Sequence, residues 1–436
     1  MGFPSATSIL LKNATVPTSV LPGTDSGEPL QQLDILIDGG EIAAIHPANG
    51  QVPPGTAVHD MDDGLVLPAF VDLHTHLDKG HIWPRRSNPD GTWLSALLSV
   101  QDDRERNWAA ADVERRMDFA LRCAYAHGTA AIRTHLDSAP PQHEIAWTLF
   151  EEMRERWASR IELQAVAIVG PDELLDAGKL DSVARRVQAS GGILGGSVAV
   201  HPDARQAMLR VVEKAGDLGL DLDLHCDETG EAESSALRHL ADVVIETGYK
   251  GRVLAGHCSV MAVQDEKTAI GTIDRVAEAG IAVVSLPMCN MYLQDRNNGS
   301  GARTPRWRGV TLLNEFKAAG VPVAIASDNF RDPFYAYGDL DCVEVFREGA
   351  RILHFDHPQS GAWEWVRAVG AEPAIIGSFD YEAEIAVGVS ADLVLFRARN
   401  WTELHARPQS DRIVLRRGSA IDTTLPDYRE LDDLME

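Results

Sequence analysis

The chain has 436 residues, which is long enough for one large domain together with a smaller one. Its 44% hydrophobic and 24% charged residues are ordinary for a soluble globular enzyme. With 65 acidic and 40 basic side chains, its formal net charge is −25. Such a surface repels phosphate groups, so we expect neither nucleic acid nor an anionic membrane as a partner.

The sequence contains no signal for export or for a membrane span. No apolar run approaches the roughly 18 residues that a spanning helix needs, and residues 1–20 lack the pattern of a signal peptide. The cysteines are odd in number, widely spaced and without a Cys-x-x-Cys pair: Cys123, Cys226, Cys258, Cys289 and Cys342. This spacing favours reduced, buried thiols. We therefore predict a cytoplasmic protein.

Both ends of the chain have the character of β-strands. Apolar runs at residues 9–14 and 35–45 open the chain, and Gly39-Gly40 within the second run predicts a hairpin, because glycine accepts the positive φ of a tight turn. Similar runs occur at residues 391–396 and 412–418. The two ends together predict one discontinuous small β-rich domain, formed by residues 1–66 and 385–436.

The middle of the chain, residues 67–384, alternates short apolar runs with helical patterns. The candidate strands are Leu65–His74, Ala130–Thr134, Ile161–Ile168, Ile193–Val200, Leu220–His225, Arg252–Gly256, Ala282–Leu286 and Pro322–Ala326. Between the first two, a helical face of apolar residues from Val113 to Ala124 ends before Gly128. Parallel strands separated by crossovers of helical length predict an α/β protein with a closed (β/α)₈ TIM barrel. A doubly wound open sheet is the alternative.

Histidine and aspartate side chains follow the ends of these predicted strands. His74 and His76 lie at the end of the first strand, where side chains two residues apart share one face and can reach one ion. His225, His257 and Asp328 lie at the ends of the fifth, sixth and eighth. In a barrel, catalytic groups come from the carboxyl ends of different strands. Imidazoles with a carboxylate suit Zn²⁺ or Fe²⁺ with an open position for water.

Glu228 follows His225 by three residues and is placed to enter the same mouth of the barrel. Hydrolysis of an amidine-like C–NH₂ bond needs a proton on a ring nitrogen during the attack by hydroxide, and a carboxylic acid can supply it. A divalent ion supplies the hydroxide, because it lowers the pKa of its bound water to about 7. The sequence thus predicts a hydrolytic centre in which Glu228 is the acid.

Several segments resemble the motifs of bacterial cytosine deaminase, a member of the amidohydrolase superfamily. They are Pro68–Lys79, Arg133–Asp137, His225–Glu228, Asn290–Arg296 and Ser327–Pro333. The similarity runs nearly end to end, and it implies that the two chain ends form a small β-sandwich beside the barrel. It also implies a homo-oligomer that acts on a small heterocycle.

The resemblance implies a role for each residue of the predicted centre. His74, His76, His225 and Asp328 would bind one Zn²⁺ or Fe²⁺, and His257 would contact the attacking water instead of binding the metal. Glu228 would protonate the ring nitrogen, and Asp328 would accept a proton from the water. Two-metal branches of the superfamily have a lysine on the fourth strand, and residues 193–201 contain none.

The ring pocket departs from that of cytosine deaminase at two positions. Gly170 stands where a glutamine of the relative binds the amide face of the pyrimidine, although a shift of one residue would bring in Asp172 or Glu173. Asn329 follows the metal aspartate where the relative has a second aspartate, as in the N-isopropylammelide amidohydrolase branch. The resemblance completes the predicted substrate-binding set, which is Trp93, Ile168, Gly170, Asn329 and Phe334. Lys79, just past the first strand, suits a loop-packing or a binding role equally.

We therefore expect an aminohydrolase that removes ammonia from a nitrogen heterocycle other than plain cytosine. A pterin, an oxidised purine or a substituted pyrimidine would use the space at Gly170. The alternatives are the release of an alkylamine from a triazine-like ring, and a relative that has lost its activity.

Overall fold

The computed structural model describes residues 3–23, 28–296, 303–356 and 362–436. The chain forms two compact units, one of residues 1–72, 122–131 and 340–426 and the other of residues 73–121, 132–339 and 427–436. The domain boundaries proposed from the sequence, at residues 66/67 and 384/385, stay a prediction.

The strands alternate with helices through the middle of the chain and cluster at its two ends. In chain order they are β1 (Ser8–Pro17), β2 (Leu30–Asp38), β3 (Glu41–Pro47), β4 (Ala57–Asp60), β5 (Val66–Pro68), β6 (Phe70–Thr75), β7 (Thr129–Asp137), β8 (Glu162–Ile168), β9 (Leu194–Val198), β10 (Leu222–Cys226), β11 (Val253–His257), β12 (Ala282–Ser285), β13 (Val323–Ile325), β14 (Leu393–Leu395), β15 (Ile413–Arg416) and β16 (Ser419–Ala420). This order confirms the predicted α/β class.

The α-helices connect most of the central strands. They are α1 (Trp93–Asn107), α2 (Ala110–His127), α3 (Gln142–Trp157), α4 (Pro171–Leu175), α5 (Ala177–Ala189), α6 (Ala204–Leu218), α7 (Ala236–Thr247), α8 (Glu266–Ala279), α9 (Pro287–Leu293), α10 (Leu313–Ala318), α11 (Cys342–Leu353), α12 (Ala362–Trp365), α13 (Ala371–Gly377) and α14 (Trp401–Ala406). Short 3₁₀ helices cover Thr18–Val20, Ser259–Ala262, Val366–Val369 and Tyr428–Leu434.

The terminal strands form two four-stranded sheets. Their orders are β3-β2-β1-β4 and β16-β15-β14-β5, so the second sheet combines a strand from the first part of the chain with strands from its end. The predicted hairpin is confirmed, because Asp38 pairs with Glu41 and Gly39 and Gly40 have φ of 60° and 93°.

The central strands form a three-stranded sheet, β6-β7-β8, and a five-stranded sheet, β13-β12-β11-β10-β9. Pairing from β9 to β13 is parallel throughout, as predicted. Two isolated parallel bridges, Val166–Ile193 and Thr75–Asp328, join residues at the edges of these two sheets.

The predicted first strand, Leu65–His74, is wrong as a single element. It is two strands, because β5 pairs with β14 whereas β6 lies beside β7. Ala69 between them donates its backbone N–H to Asp392, and the next N–H, from Phe70, goes to Gly128. Pro68 has no N–H to donate, so the ladder ends there and the chain can change partners.

The helix predicted from the apolar face of residues 113–124 is confirmed as α2. Val113, Met117 and Leu121 of that face are at most 1% exposed. Gly128 follows the helix with φ of 98°, a conformation that glycine adopts at low cost.

Within the described residues, no helix combines the length and the apolar character that a membrane span requires. All five cysteines lie in this part of the chain, are buried and form no disulfide, as the sequence predicted.

We predict that Gly128→Ala destabilises the protein more than Gly219→Ala does. A Cβ at residue 128 would lie 2.7 Å from Cγ2 of Val394, whereas a Cβ at residue 219, which also has positive φ, would have no heavy atom within 4 Å. The left-handed backbone alone costs about 1–2 kcal/mol, and overpacking adds about 1–3 kcal/mol. Chemical denaturation of both variants measures the difference; equal losses would contradict the contact with Val394.

Candidate active site

Three parallel strand ends and the residues that follow them bring the predicted ligands together. His74 is the fifth residue of β6, and His76 follows the last. His225 lies in β10 beside β11, whose last residue is His257. Asp328 follows β13 and forms the bridge to Thr75. All these imidazoles and the carboxylate are buried, with exposures of 0–5%.

The ring nitrogens and a carboxylate oxygen face one another at short range. Nε2 of His225 lies 3.2 Å from Nε2 of His74 and 3.2 Å from Nε2 of His76. Oδ1 of Asp328 lies 3.5 Å from Nε2 of His74 and 3.2 Å from Nε2 of His76. A tetrahedral ion with bonds of about 2.0–2.1 Å places its ligand atoms about 3.3–3.4 Å apart, so the cluster fits one such ion.

Unsatisfied polar atoms within the cluster support the same interpretation. Among the described residues, neither carboxylate oxygen of Asp328 has a hydrogen-bond partner, and neither has Nε2 of His257. His257 brings a ring nitrogen within 4.8 Å of ligand atoms of His74, His225 and Asp328. Buried polar atoms without partners are costly, so they mark a place where a bound ion and water are expected.

The protonation states of the cluster suit a cation. Burial lowers the pKa of His76 to about 4 and holds the pKa of His225 well below its ordinary value. Burial raises the pKa of Asp328, but the neighbouring His257 and His74 outweigh it and keep that pKa well below the usual range. Neutral imidazoles and an ionised carboxylate are the forms that bind metals.

Strained backbone aims two of these side chains. His257 and Asp328 have φ of 68° and 66°, the left-handed region that costs a residue with a Cβ about 1–3 kcal/mol. Hydrogen bonds hold both strained conformations. Asp328 donates its N–H to the carbonyl of His74 at 2.8 Å, and Thr311 donates its hydroxyl to the carbonyl of His257.

Gly256 leaves room for the ring of His74. A Cβ at residue 256 would lie 3.0 Å from Cε1 and 3.2 Å from Nδ1 of His74. Glycine in a strand often marks such a close approach. This contact between Gly256 and His74 was not predicted from the sequence, because it joins two strands that are distant in the chain.

Glu228 is held beside the cluster by three side chains. Its Oε2 accepts a hydrogen bond of 2.8 Å from Nε1 of Trp93, and its Oε1 accepts one of 3.2 Å from Nδ2 of Asn290. Nδ2 of Asn290 also lies 2.9 Å from Nδ1 of His257, which is 3.4 Å from Oε1 of Glu228. Burial, with the charge of Asp328, raises the pKa of Glu228 to about 8. This shift favours the protonated form of the carboxyl group.

Asn290 is a residue whose position the sequence analysis missed. It belongs to one of the resembling segments, but no role followed from its spacing. It is a buried residue of α9, the short helix that follows β12. Trp93, predicted as a wall of the ring pocket, also holds Glu228 through its indole N–H.

A cavity of about 270 Å³ opens beside the cluster. All the predicted substrate-binding residues line it, together with His76, His225, Glu228 and His257. The other polar side chains that line it are those of Lys79, Gln101, Arg104, Asp137, Glu173 and Ser197. Oε2 of Glu173 lies 3.3 Å from the place of a Cβ at Gly170, so a carboxylate occupies space next to the missing side chain.

A second group of buried side chains shares His74 with the cluster. His74, His135 and Asp223 bring ligand atoms within 4.8 Å of one another. Arg133 donates a hydrogen bond of 3.1 Å to Oδ2 of Asp223, which places an ion pair behind the cluster. Asp137 does not join this group; its carboxylate contacts Lys79 and Arg104.

The chain is similar to deaminases and amidohydrolases. The family described as "Amidohydrolase family" matches residues 121–418. A pterin deaminase of Rhizobium rhizogenes (strain K84) is 54% identical over 438 aligned residues, which cover 100% of this chain and 98% of the relative. An N-isopropylammelide isopropyl amidohydrolase of Pseudomonas sp. (strain ADP) is 25% identical over 362 residues, 79% of this chain and 83% of the relative. The crystal structure of 5-methylcytosine deaminase from Klebsiella pneumoniae with 5-fluorocytosine superposes with a TM-score of 0.79 at 22% identity, covering 96% of this chain and 98% of that one.

We predict that Gly256→Ala weakens metal binding without unfolding the protein, because the new methyl group presses on the ring of His74. Metal content after dialysis, measured by mass spectrometry, should fall well below that of the wild type, and His76→Ala should lose metal as well. Gly271→Ala is the matched control, since its Cβ would meet only the end of Arg238 at 3.8 Å. A full metal load in Gly256→Ala would show that the ring has room to move.

Proposed function

We propose that this chain, which belongs to the amidohydrolase family, is a metal-dependent deaminase that hydrolyses the exocyclic amino group of a pterin and releases ammonia. The observation that carries the proposal is the buried carboxyl group of Glu228 beside the His/Asp cluster, in one cavity. The family assigned from the motifs is confirmed by the match over residues 121–418 and by the relative at 54% identity.

The proposal includes the architecture that holds the site. We take the strands β6 to β13 to close into a (β/α)₈ barrel, and the two four-stranded sheets to form a β-sandwich. The bridges Val166–Ile193 and Thr75–Asp328 support closure, because each links an edge of the three-stranded sheet to an edge of the five-stranded one. A cytoplasmic location and a homo-oligomer stay predictions.

His74, His76, His225 and Asp328 would hold one ion, with Zn²⁺ and Fe²⁺ as the candidates that suit nitrogen and oxygen ligands. When bound, the ion supplies activated water, by lowering the pKa of a coordinated water to about 7. The neutral state of the buried imidazoles, with the low pKa of His76 at about 4, supports binding at neutral pH.

The other groups of the cluster would handle the protons of the reaction. Asp328 takes a proton from the attacking water through its carboxylate, and Nε2 of His257 contacts that water. Glu228 gives its proton to the ring nitrogen beside the C–NH₂ carbon. The proton taken from the water then passes from Asp328 to the amino nitrogen, and the hydroxyl group on the ring carbon returns a proton to Glu228. The C–N bond breaks with its electron pair on nitrogen, so that ammonia leaves and a ring carbonyl remains.

The raised pKa of Glu228, about 8, supports its role as the acid, whereas Asp328 is ionised. Two carboxyl groups whose environments drive their pKa values apart are typical of an acid and a base in one site. Trp93 and Asn290 would act as positioning residues, because each donates a hydrogen bond to one oxygen of Glu228.

The preference for a pterin rests on the cavity and on the similar protein. Gly170 carries no side chain to bind a pyrimidine amide, and the carboxylate of Glu173 lies next to its Cβ position instead. The faces of Trp93 and Phe334, whose ring centroids lie 6.2 Å apart, suit a planar ring. The relative that matches the whole chain at 54% identity is a pterin deaminase.

Release of an alkylamine from a triazine ring is the second candidate. It is favoured by Asn329, which lines the cavity and donates a hydrogen bond of 2.7 Å to Asp332, and by the relative from Pseudomonas at 25% identity. The inactive alternative is not retained, since the expected ligands lie close together and Glu228 lines a cavity with two of them, His76 and His225.

We predict that the metal-loaded protein releases ammonia from pterin with a kcat/KM at least about tenfold above that for cytosine. An amide face left unpaired in a buried site costs about 1–3 kcal/mol, and cytosine would meet that cost at Gly170. Steady-state assays on pterin, 8-oxoguanine, cytosine, 5-methylcytosine and N-isopropylammelide, with the released amine identified, provide the measurement. Cytosine as the best substrate, or isopropylamine as the main product, would overturn the assignment.

We predict that Glu228→Gln keeps its metal and lowers kcat about 10²- to 10⁴-fold, because an amide cannot give a proton to the ring nitrogen. Metal content and kcat are measured on the same preparation. The matched control is Glu231→Gln, the same change at an exposed position three residues on, which should leave both values unchanged. Retained activity in Glu228→Gln would remove this residue from the mechanism.

A further inference from the structure

A buried ammonium group lines the cavity close to the cluster. Lys79 follows His76 by three residues, and its side chain is 6% exposed. Its Nζ lies 2.8 Å from Oδ1 of Asp137 and 5.7 Å from the ring centroid of Phe334. Lys79 and Phe334 both line the cavity, so the ammonium group lies beside a surface on which a planar ring can pack.

The carboxylate that pairs with Lys79 is shared with a second cation. The other oxygen of Asp137 accepts a hydrogen bond of 3.0 Å from Nη1 of Arg104, so one carboxylate serves two cations. Burial lowers the pKa of Lys79, but Asp137 and Asp78 outweigh it and raise that pKa above its ordinary value.

The ammonium group also has donors to spare. It carries three N–H bonds, and within the described part of the chain Asp137 is the one acceptor that it contacts. The wall at Gly170 offers no side-chain donor at all. A ring with an oxygen at its edge would supply the acceptor that Lys79 lacks, and Lys79 would supply the donor that residue 170 cannot.

We infer that Lys79 determines specificity by donating a hydrogen bond to the oxo oxygen of the amino-oxo ring bound in the cavity. The inference rests on the proposed function and extends it by naming the residue that recognises the oxo oxygen of the substrate. In a pterin the oxo carbon and the amino carbon are separated by one ring nitrogen. The inferred orientation has the amino carbon at the cluster and the oxo oxygen at the wall that contains Lys79.

The competing explanation is that Lys79 serves only to neutralise Asp137. The two roles differ in what they predict for a substrate without the oxygen. Loss of a hydrogen bond to the oxo oxygen lowers kcat/KM for pterin and leaves kcat/KM for 2-aminopteridine unchanged. 2-Aminopteridine keeps the ring and the amino group but lacks the oxo group. Loss of the charge that neutralises Asp137 distorts the cavity wall, so kcat/KM falls equally for both substrates.

The test measures kcat/KM for pterin and 2-aminopteridine in the metal-loaded wild type, Lys79→Met and Arg104→Met. We expect the wild type to prefer pterin, and Lys79→Met to reduce this preference by roughly 10- to 100-fold, the value of a hydrogen bond to a charged donor. Arg104→Met also removes a cation from Asp137, and it should change the ratio by no more than about twofold. Lys79→Arg, which keeps the charge and the donors, should restore part of the preference.

An equal fall of kcat/KM for both substrates in Lys79→Met would overturn the inference. The inference would also fail if Arg104→Met reduced the preference for pterin as much as Lys79→Met does. If Lys79→Met does not fold, the double variant Lys79→Met/Asp137→Asn removes the ion pair as a unit and should show the same loss of preference. A wild type that turns over both rings equally would contradict the role of Lys79 but not the proposed function. A wild type that releases ammonia from neither ring would overturn the proposed function with it.

Discussion

The structure of the site depends on one constraint: in a buried place, Nε2 of His225 and Oδ1 of Asp328 each lie 3.2–3.5 Å from Nε2 of both His74 and His76. Side chains at these distances suit a cation among them, since neutral imidazoles offer one another only lone pairs or a single proton. The strand ends make the approach possible. Gly256 leaves room for the ring of His74, and the left-handed backbone at His257 and Asp328 turns their side chains inward. Two positions with a strained backbone and one without a side chain thus lie where the ligands converge.

The same burial separates the two carboxyl groups into different chemical roles. Asp328 faces imidazoles, which keep its pKa low, whereas Glu228 accepts hydrogen bonds from Trp93 and Asn290 in an apolar setting that raises its pKa to about 8. One group can therefore accept a proton while the other gives one. Asn290 contacts both Glu228 and His257, so the acid and the imidazole beside it are held by one amide.

The cavity adds the features that distinguish this site from that of a pyrimidine deaminase. Its wall lacks a side chain at Gly170 and carries Lys79, Asp137 and Arg104. The carboxylate shared between two cations has a lowered pKa, and among the described residues the ammonium group of Lys79 has N–H bonds without an acceptor. Such a wall suits a ring with an oxygen at its edge, and it gives the proposed preference for a pterin a physical basis in addition to the similarity to a pterin deaminase.

Much of this site could be predicted from the sequence, because the buried parallel strands are continuous apolar runs and polar residues mark their ends. These runs located β7 to β13 and the end of β6 within a few residues, and they placed His74, His76, His225, His257 and Asp328 at strand ends. The exchange of partners between β5 and β6 did not, since it depends on which distant strand lies alongside. The contacts of Asn290 with Glu228, of Gly256 with His74 and of Arg104 with Asp137 were likewise decided only in the tertiary structure. Local patterns report which residues share a face, whereas a contact between residues distant in the chain exists only after the strands have paired.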